Sequence, residues 1–329
     1  MNTLPDIILE PEEPGQIHNM NGDMTTSAQS LSQEGRGVIQ SFLGPKALVR
    51  IGTWNVRTMY ETSKCAQVIK EMNNLNIDIL GISECRWTGA GRQTVRDGAT
   101  ILYSGRSDVH SSGVALIINR RHTKALIEWE PINDRLLRAR FDSKFCKLTI
   151  IQGYAPTNEA EEETKDDWYE QLQLAVSKIP SHDMTIIMGD INAKVGADNT
   201  DREKAMGRHG CGTINDNGER LVNFCLNSSC VIGGTIFPHR DIHKLTWTSP
   251  DGRTVNQIDH FIINRKWRRS LQDVRTFRGA DANSDHFLVV GKVRLKLRAV
   301  RKDQSRQVYD TRKLKTQETQ REFVLELRN

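Results

Sequence analysis

Asp190 and Asn192 stand two apart at the end of the run Ile186-Ile187-Met188-Gly189-Asp190-Ile191-Asn192. The apolar part reads as a buried strand and Gly189 as its punctuation. Side chains two apart on a strand share a face, so a carboxylate and an amide leave the strand tip together. That pairing suits the activation of water: the carboxylate accepts a proton while the amide fixes position. Gly-Asp is also an ordinary turn, so the pair gains weight only from its company. Five further polar clusters each lie in or at the end of an apolar run.

Trp54-Asn55-Val56-Arg57 follows the apolar stretch 48–52, and Asn55 is a candidate metal or ligand contact, or else a turn residue. Ser83-Glu84-Cys85-Arg86-Trp87 follows 77–82. A carboxylate at a buried strand end needs a partner, and Glu84 can find one in a hard divalent cation or in Arg57 or Arg86. Gly153-Tyr154-Ala155-Pro156-Thr157-Asn158 follows 148–152. Tyr154 offers a phenol donor to a phosphate oxygen, or sits half-buried against backbone. In Gln257-Ile258-Asp259-His260-Phe261-Ile262, Asp259 falls inside an apolar strand, where it can orient a histidine elsewhere or pair with an arginine. Asn283-Ser284-Asp285-His286 leads into the last strand and offers a carboxylate and an imidazole at one strand end, or a polar turn.

The elements that must hold these clusters are legible as periodicities. Apolar runs at 77–82, 113–118, 136–141, 148–154, 185–188, 257–263 and 287–293 are alternating or β-branched and bounded by turn residues. Helical spacing predicts helices over 63–75, with Ser63 as N-cap, over 164–179, and over about 219–227. Many strands separated by a few helices point to two sheets packed face to face with helices outside. Residues 1–47, rich in Ser, Gly, Pro, Asn and Gln, read as a disordered leader. The domain spans 48–297. Residues 298–329 form a charged tail, with an amphipathic helix expected over 321–329.

The 329 residues carry a net charge of +5, unevenly spread. Residues 1–47 hold two Lys/Arg against six Asp/Glu, a balance of −4, which leaves +9 on the remainder. A basic body suits an anionic partner as well as it suits a solvated surface. The six cysteines include no C-x-x-C pair and several fall in apolar segments, so free thiols in a reducing compartment are expected. Zinc binding by His209, Cys211, Cys225 and Cys230 fits no usual spacing. No apolar run reaches transmembrane length, and the acidic N-terminus lacks the basic start of a signal peptide.

Taken in order, Thr53-Trp54-Asn55-Val56, Ile82-Ser83-Glu84, Gly153-Tyr154-Ala155-Pro156, Gly189-Asp190-Ile191-Asn192, Ile258-Asp259 and Ser284-Asp285-His286 resemble the motif series of the endonuclease/exonuclease/phosphatase superfamily, which includes DNase I and the abasic-site endonucleases. The residues 53–59, Glu84-Cys85-Arg86-Trp87 and Thr246-Trp247-Thr248-Ser249-Pro250 are similar to the endonuclease domain of RTE/BovB-type non-LTR retrotransposons, and the tail is similar to the linker toward a reverse transcriptase. The resemblance implies a DNase I-like four-layer α/β sandwich and Mg²⁺-dependent nicking of DNA, with Mn²⁺ as a substitute. It implies Glu84 as principal metal ligand with Asn55 and Asp285 beside it, and Asp190 as proton acceptor. Asn192 positions water or phosphate, His286 is oriented by Asp259, and Tyr154 donates to a phosphate oxygen. Arg57, Trp87, Asn158 and Trp247 are expected at the substrate, and DNA as partner implies nuclear residence. No membrane partner and no small-molecule cofactor are expected.

Two positions depart from repair-type members: Arg57 replaces an acidic residue, and Thr157 stands where they carry Asn. Abasic-site repair is therefore disfavoured as the main role. The basic groups Arg86, Arg92, Arg96 and Arg265, Lys266, Arg268, Arg269 are candidate phosphate contacts, the latter group equally a solvated surface. Two other readings are a catalytically inactive nucleic-acid- or protein-binding domain and a same-fold phosphodiesterase acting on a non-DNA substrate.

Overall fold

In the computed structural model, residues 42–297, 312 and 315–327 are described. The expected leader, for residues 1–41, and most of the stretch 298–314 lie outside them. Strands β1 (Val49–Asn55), β2 (Ile79–Ser83), β3 (Ala90–Thr94), β4 (Thr100–Ser104) and β5 (Val114–Ile118) come first, with helix α1 (Thr62–Asn74) between β1 and β2. Next come β6 (Leu126–Asn133), β7 (Leu136–Phe141), β8 (Leu148–Tyr154), helix α2 (Glu162–Ser177), β9 (Met184–Asp190), helix α3 (Asp216–Asn227) and β10 (Cys230–Ile232). A short hairpin of β11 (Trp247–Thr248) and β12 (Val255–Asn256) precedes β13 (Asp259–Asn264), β14 (Leu271–Phe277) and β15 (Leu288–Val293).

The strands make a seven-stranded sheet, β14-β15-β1-β2-β5-β4-β3, and a six-stranded sheet, β10-β13-β9-β8-β7-β6. Each contains one parallel pair among antiparallel neighbours: β1 with β2, and β8 with β9. A parallel pair needs a crossover, and α1 and α2 supply it. Alternation along each strand then sorts side chains between layers. On β5, Val114, Leu116 and Ile118 enter the core between the sheets, while Ala115 and Ile117 pack toward α1. On β9, Ile186 and Met188 face the same central core, and Ile187 packs with Trp168 and Leu172 of α2. Three apolar interfaces thus separate four layers, as the α/β sandwich expectation requires.

Several local expectations shift. Helix α1 starts at Thr62, so Ser63 lies inside it, and Glu61 at the cap position makes no side-chain cap bond. Helix α3 starts earlier than its apolar stripe because Asn215 caps it, Oδ1 accepting from Gly218 N at 2.8 Å. The folded body reaches back past Leu48: Phe42 and Leu43 are buried in the central core. Ser143 Oγ pins that segment by donating to Leu43 O at 2.6 Å. The first compact unit ends at Lys296. In the second unit, helix α4 (Gln317–Glu326) carries exposed Phe323, Val324 and Leu325. All six cysteines are free and five are buried. Among the described residues, no helix is long and apolar enough to cross a membrane.

Candidate active site

The topology brings the polar clusters to one rim. Asn55 closes β1, Glu84 follows β2, Tyr154 closes β8 and Asp190 closes β9, so all four stand at the carboxyl ends of the two parallel pairs. β13 runs antiparallel to β9, which sets its first residue, Asp259, opposite Asp190. β15 runs antiparallel to β1, so Asp285 and His286, just before it, arrive at the same end. The result is a cleft of about 460 Å³ lined by Arg57, Glu84, Tyr154, Asn158, Asp190, Asn192, Trp247, Asp285 and His286, together with Arg86, Lys194 and Asn215. Arg57, Glu84, Arg86 and Asn192 have positive φ, between 51° and 61°. Non-glycine residues in the left-handed region carry strain, and such strain gathers at working sites.

Hydrogen bonds fix the floor of the cleft. Asn55 Nδ2 donates both to Glu84 Oε1 and to Asp190 Oδ2, each at 2.9 Å. Its Oδ1 accepts from Arg57 N at 2.9 Å. The amide oxygen thus takes one bond from the chain turn and keeps a second lone pair for the expected metal contact, while the amide nitrogen ties one carboxylate from each sheet together. Glu84 is also held by Arg86 Nη2 at 3.0 Å and by Tyr154 Oη, which donates to Oε1 at 3.2 Å. Asn192 N donates to Asp190 Oδ1 at 3.1 Å, and its side chain donates to Ala155 O at 3.0 Å. Asn217 holds the same loop from behind, donating to Pro156 O and Asn192 O. Asn158 Oδ1 accepts from Asn217 N at 3.4 Å, so its side chain is partly engaged with the start of α3.

His286 lies between two carboxylates, Nδ1 2.9 Å from Asp259 Oδ2 and Nε2 3.8 Å from Asp190 Oδ2. Burial opposes charge on this imidazole, but Asp259 and then Asp190 outweigh it and raise the pKa to about 9. Asp190 is held well above the usual carboxylate range, first by burial and then by Asp259, with His286 and Asn55 opposing. At neutral pH the site therefore pairs an imidazolium with a carboxylate that is still able to take a proton. Tyr154 is pushed up by burial and by Glu84 and Asp190, so its phenol stays a donor.

The sequence pattern of the endonuclease/exonuclease/phosphatase family, "Endonuclease/Exonuclease/phosphatase family", matches residues 52–290. The chain belongs to this family. Craniofacial development protein 2 of Bos taurus is 45% identical over 252 residues, and that of Tragulus javanicus 44% over 252 residues. These alignments cover 77% of this chain but only 42% and 43% of the relatives. Among solved structures, the endonuclease domain of TRAS1, a telomere-specific non-LTR retrotransposon, superposes with a TM-score of 0.53 at 15% identity, covering 76% of this chain and 100% of that one. The Neisseria 3′ phosphatase NExo, bound to a product DNA hairpin, gives 0.54 at 18%, covering 74% and 99%. The Xenopus laevis APE2 catalytic domain gives 0.56 at 17%, covering 77% and 94%. These likenesses establish the DNase I-like fold.

Nucleases of the endonuclease/exonuclease/phosphatase family typically use a divalent metal, and the donor atoms here can be tested for one. Among the described residues, Asp190, Asp259 and His286 form the one group of three metal-capable side chains, their ligand atoms within 4.8 Å of one another. That group is buried and His286 already bridges its two carboxylates, so a cation there would have to displace the imidazole's proton. Glu84 and Asp285 fit a hard cation better: both are oxygen donors lining the cleft. Asp285 Oδ2 accepts from Trp247 Nε1 at 3.1 Å, while Oδ1 has no hydrogen-bond partner and lies 3.9 Å from Arg57 Nε. Trp247 thereby positions Asp285 as well as lining the cleft.

Not every expected residue reaches the family cleft. Trp87 lines a different cavity, its Nε1 donating to Met59 O at 2.8 Å. Arg265, Lys266, Arg268 and Arg269 sit on a 3-10 turn after the far end of β13, about 15–20 Å along the strand from Asp259. Arg265 and Lys266 there bond to Ser229 and to Ser181 O, as a surface group does. Conversely, Lys194, Asn215 and Asn217 went unread in the sequence. The polar triplet Asn215-Asp216-Asn217 ahead of an apolar stripe was the available signal for two of them.

Proposed function

We propose that the chain is a divalent-cation-dependent endonuclease that hydrolyses phosphodiester bonds in DNA, leaving nicks, and that it derives from a non-LTR retrotransposon endonuclease. The observation that carries this reading is the Asp190–His286–Asp259 line on the floor of the cleft: a desolvated carboxylate facing an imidazolium that a second buried carboxylate holds in orientation. In-line displacement at phosphorus needs a proton acceptor for water and positive charge at the phosphoryl oxygens. Asp190 takes the proton, with Asn192 fixing the water or the phosphate. His286 and the Tyr154 phenol donate to the phosphoryl oxygens, and Arg57, Arg86 and Lys194 make the rim cationic. Glu84 and Asp285 would hold Mg²⁺, or Mn²⁺ in its place, which supplies Lewis-acid polarisation and stabilises the leaving oxygen.

The resemblance to retrotransposon motifs and the superposition on the TRAS1 domain support the proposed origin. A DNA substrate also supports nuclear residence. The test is nicking of supercoiled plasmid by the full chain with Mg²⁺ or EDTA, beside the Glu84→Ala protein. Relaxation that needs both Mg²⁺ and Glu84 is the expected result. Folded protein that relaxes nothing with any of several divalent metals, yet still binds DNA, would shift the assignment to a non-catalytic binding domain.

A further inference from the structure

Trp87 lies three residues past Glu84, yet it lines a second hollow, of about 490 Å³, comparable with the catalytic cleft and within the range of small-ligand sites. Its ring meets the edge of Tyr103 with centroids 5.1 Å apart at 82°. Tyr60, Ala66, Gln93 and His110 complete the walls that matter here. Tyr60 is 66% exposed and stands edge-on to His110, centroids 4.8 Å apart. The bond from Trp87 Nε1 to Met59 O holds one wall in place before any ligand arrives.

The two hollows share a ridge. Segment 57–60 gives Arg57 to the cleft and Tyr60 to the second hollow; segment 84–88 gives Glu84 and Arg86 to the cleft and Trp87 to the hollow. His110 Nδ1, 2.8 Å from Arg86 O, links the hollow's rim to the same ridge. A phosphate held at Arg57 or Arg86 therefore lies on the segments that also wall the second hollow. Each phosphate along a nucleic-acid strand adjoins a nucleoside, and aromatic walls accept any base by stacking. Gln93 offers both a donor and an acceptor to a base edge.

We propose that this aromatic hollow is a nucleobase subsite, receiving an unstacked base from a nucleotide adjoining the scissile phosphate. The proposal rests on the nucleic-acid reading of the cleft. It assigns Trp87 the role of a fixed wall, not of a wedge driven into a duplex. It also explains why an exposed tyrosine crowns the hollow.

The test uses the full chain in EDTA and labelled single-stranded 9-mers in which one base at a time is replaced by an abasic residue. Binding is measured by fluorescence anisotropy. In the wild type, loss of the base at one position weakens binding about tenfold, and loss elsewhere does much less. Ala66→Trp, at an exposed helix position, fills the hollow, and Tyr60→Ala removes its crown. Both variants flatten the profile while still binding the strand. A flat wild-type profile from a protein that binds strands and nicks plasmid overturns the subsite alone. A position-specific profile that survives in both variants places the base elsewhere and also overturns it. Failure to bind any strand, together with failure to nick plasmid, overturns the underlying nucleic-acid reading and the subsite with it.

Discussion

Asp190 and His286 set the expected response of activity to pH. Asp190 must be ionised to accept a proton, and burial holds its pKa well above the ordinary carboxylate range. His286 must be protonated, and Asp259 and Asp190 keep it so up to about 9. The rate of cleavage should therefore be bell-shaped in pH, rising well above pH 4 and falling near 9. Asp259→Asn removes the charge that most raises His286, so the falling limb should move to lower pH, and pH–rate profiles of the two proteins measure the shift. Asp190→Asn should cut the rate by about 10²–10⁴-fold without loss of fold, read by single-turnover cleavage alongside circular dichroism. His260 behaves in the opposite sense. It is buried, its Nε2 lies 2.7 Å from Ala193 O, and burial lowers its pKa. Below about 6.5 the unfolded chain binds the extra proton first, so this residue makes stability fall as pH falls, by up to about 1.4 kcal/mol per pH unit. His260→Gln should lose less stability than wild type between pH 7 and 5.5 in urea titrations.

Beneath the catalytic rim, the sheets are joined by polar groups as well as by apolar packing. Gln152 on β8 donates through Nε2 to Ser83 Oγ at 3.0 Å, and its Oε1 accepts from Thr53 Oγ1 at 3.3 Å. Ser83 Oγ in turn donates to Gly153 O at 3.1 Å and accepts from Asp190 N at 3.3 Å. Gly81 makes room, since a Cβ there would collide with Gln152 Oε1. Gln152→Ala leaves buried groups unpaired and should destabilise the protein by about 1–3 kcal/mol, visible as a lower urea midpoint, with a fall in cleavage rate because Asp190 loses a fixed backbone. Little of this clamp was legible in the sequence: Gln152 sits inside an apolar run with no period of its own, and Ser83, at the head of the Glu84 cluster, gives no sign of a partner on the other sheet. The strands that carry the cleft were legible because they are buried and β-branched, as 148–154 and 185–188 are. The edges were not. β3 alternates exposed and half-exposed residues, and β6 contains Glu128, Glu130 and Pro131, a composition that protects an open edge and hides it from hydrophobic pattern reading. The sequence could not say which hollow Trp87 enters, because proximity to Glu84 does not fix where a side chain points after a turn with positive φ at Arg86.

The body of the molecule begins earlier than its first strand. Phe42 and Leu43 are buried between the sheets, and burial of such side chains is worth about 1.5–3 kcal/mol each. A chain starting at Leu48 should therefore be about 3–6 kcal/mol less stable than one starting at Phe42, a difference that thermal unfolding of the two would register. The seven-stranded sheet is also assembled from both ends of the body. β1 pairs with β15, Val49 opposite Val293, and β15 is hydrogen-bonded on its other side to β14. That pairing gives the polypeptide a built-in order of events during synthesis. When Asn55, Glu84, Tyr154 and Asp190 have already left the ribosome, His286 and the strand that delivers it have yet to be made. Domains generally fold as units as synthesis proceeds, and long-range pairing is slow. A nascent or prematurely ended chain is thus the proposed nuclease without its imidazolium, and on that proposal the capacity to cut DNA would arrive only with the last strand of the sheet.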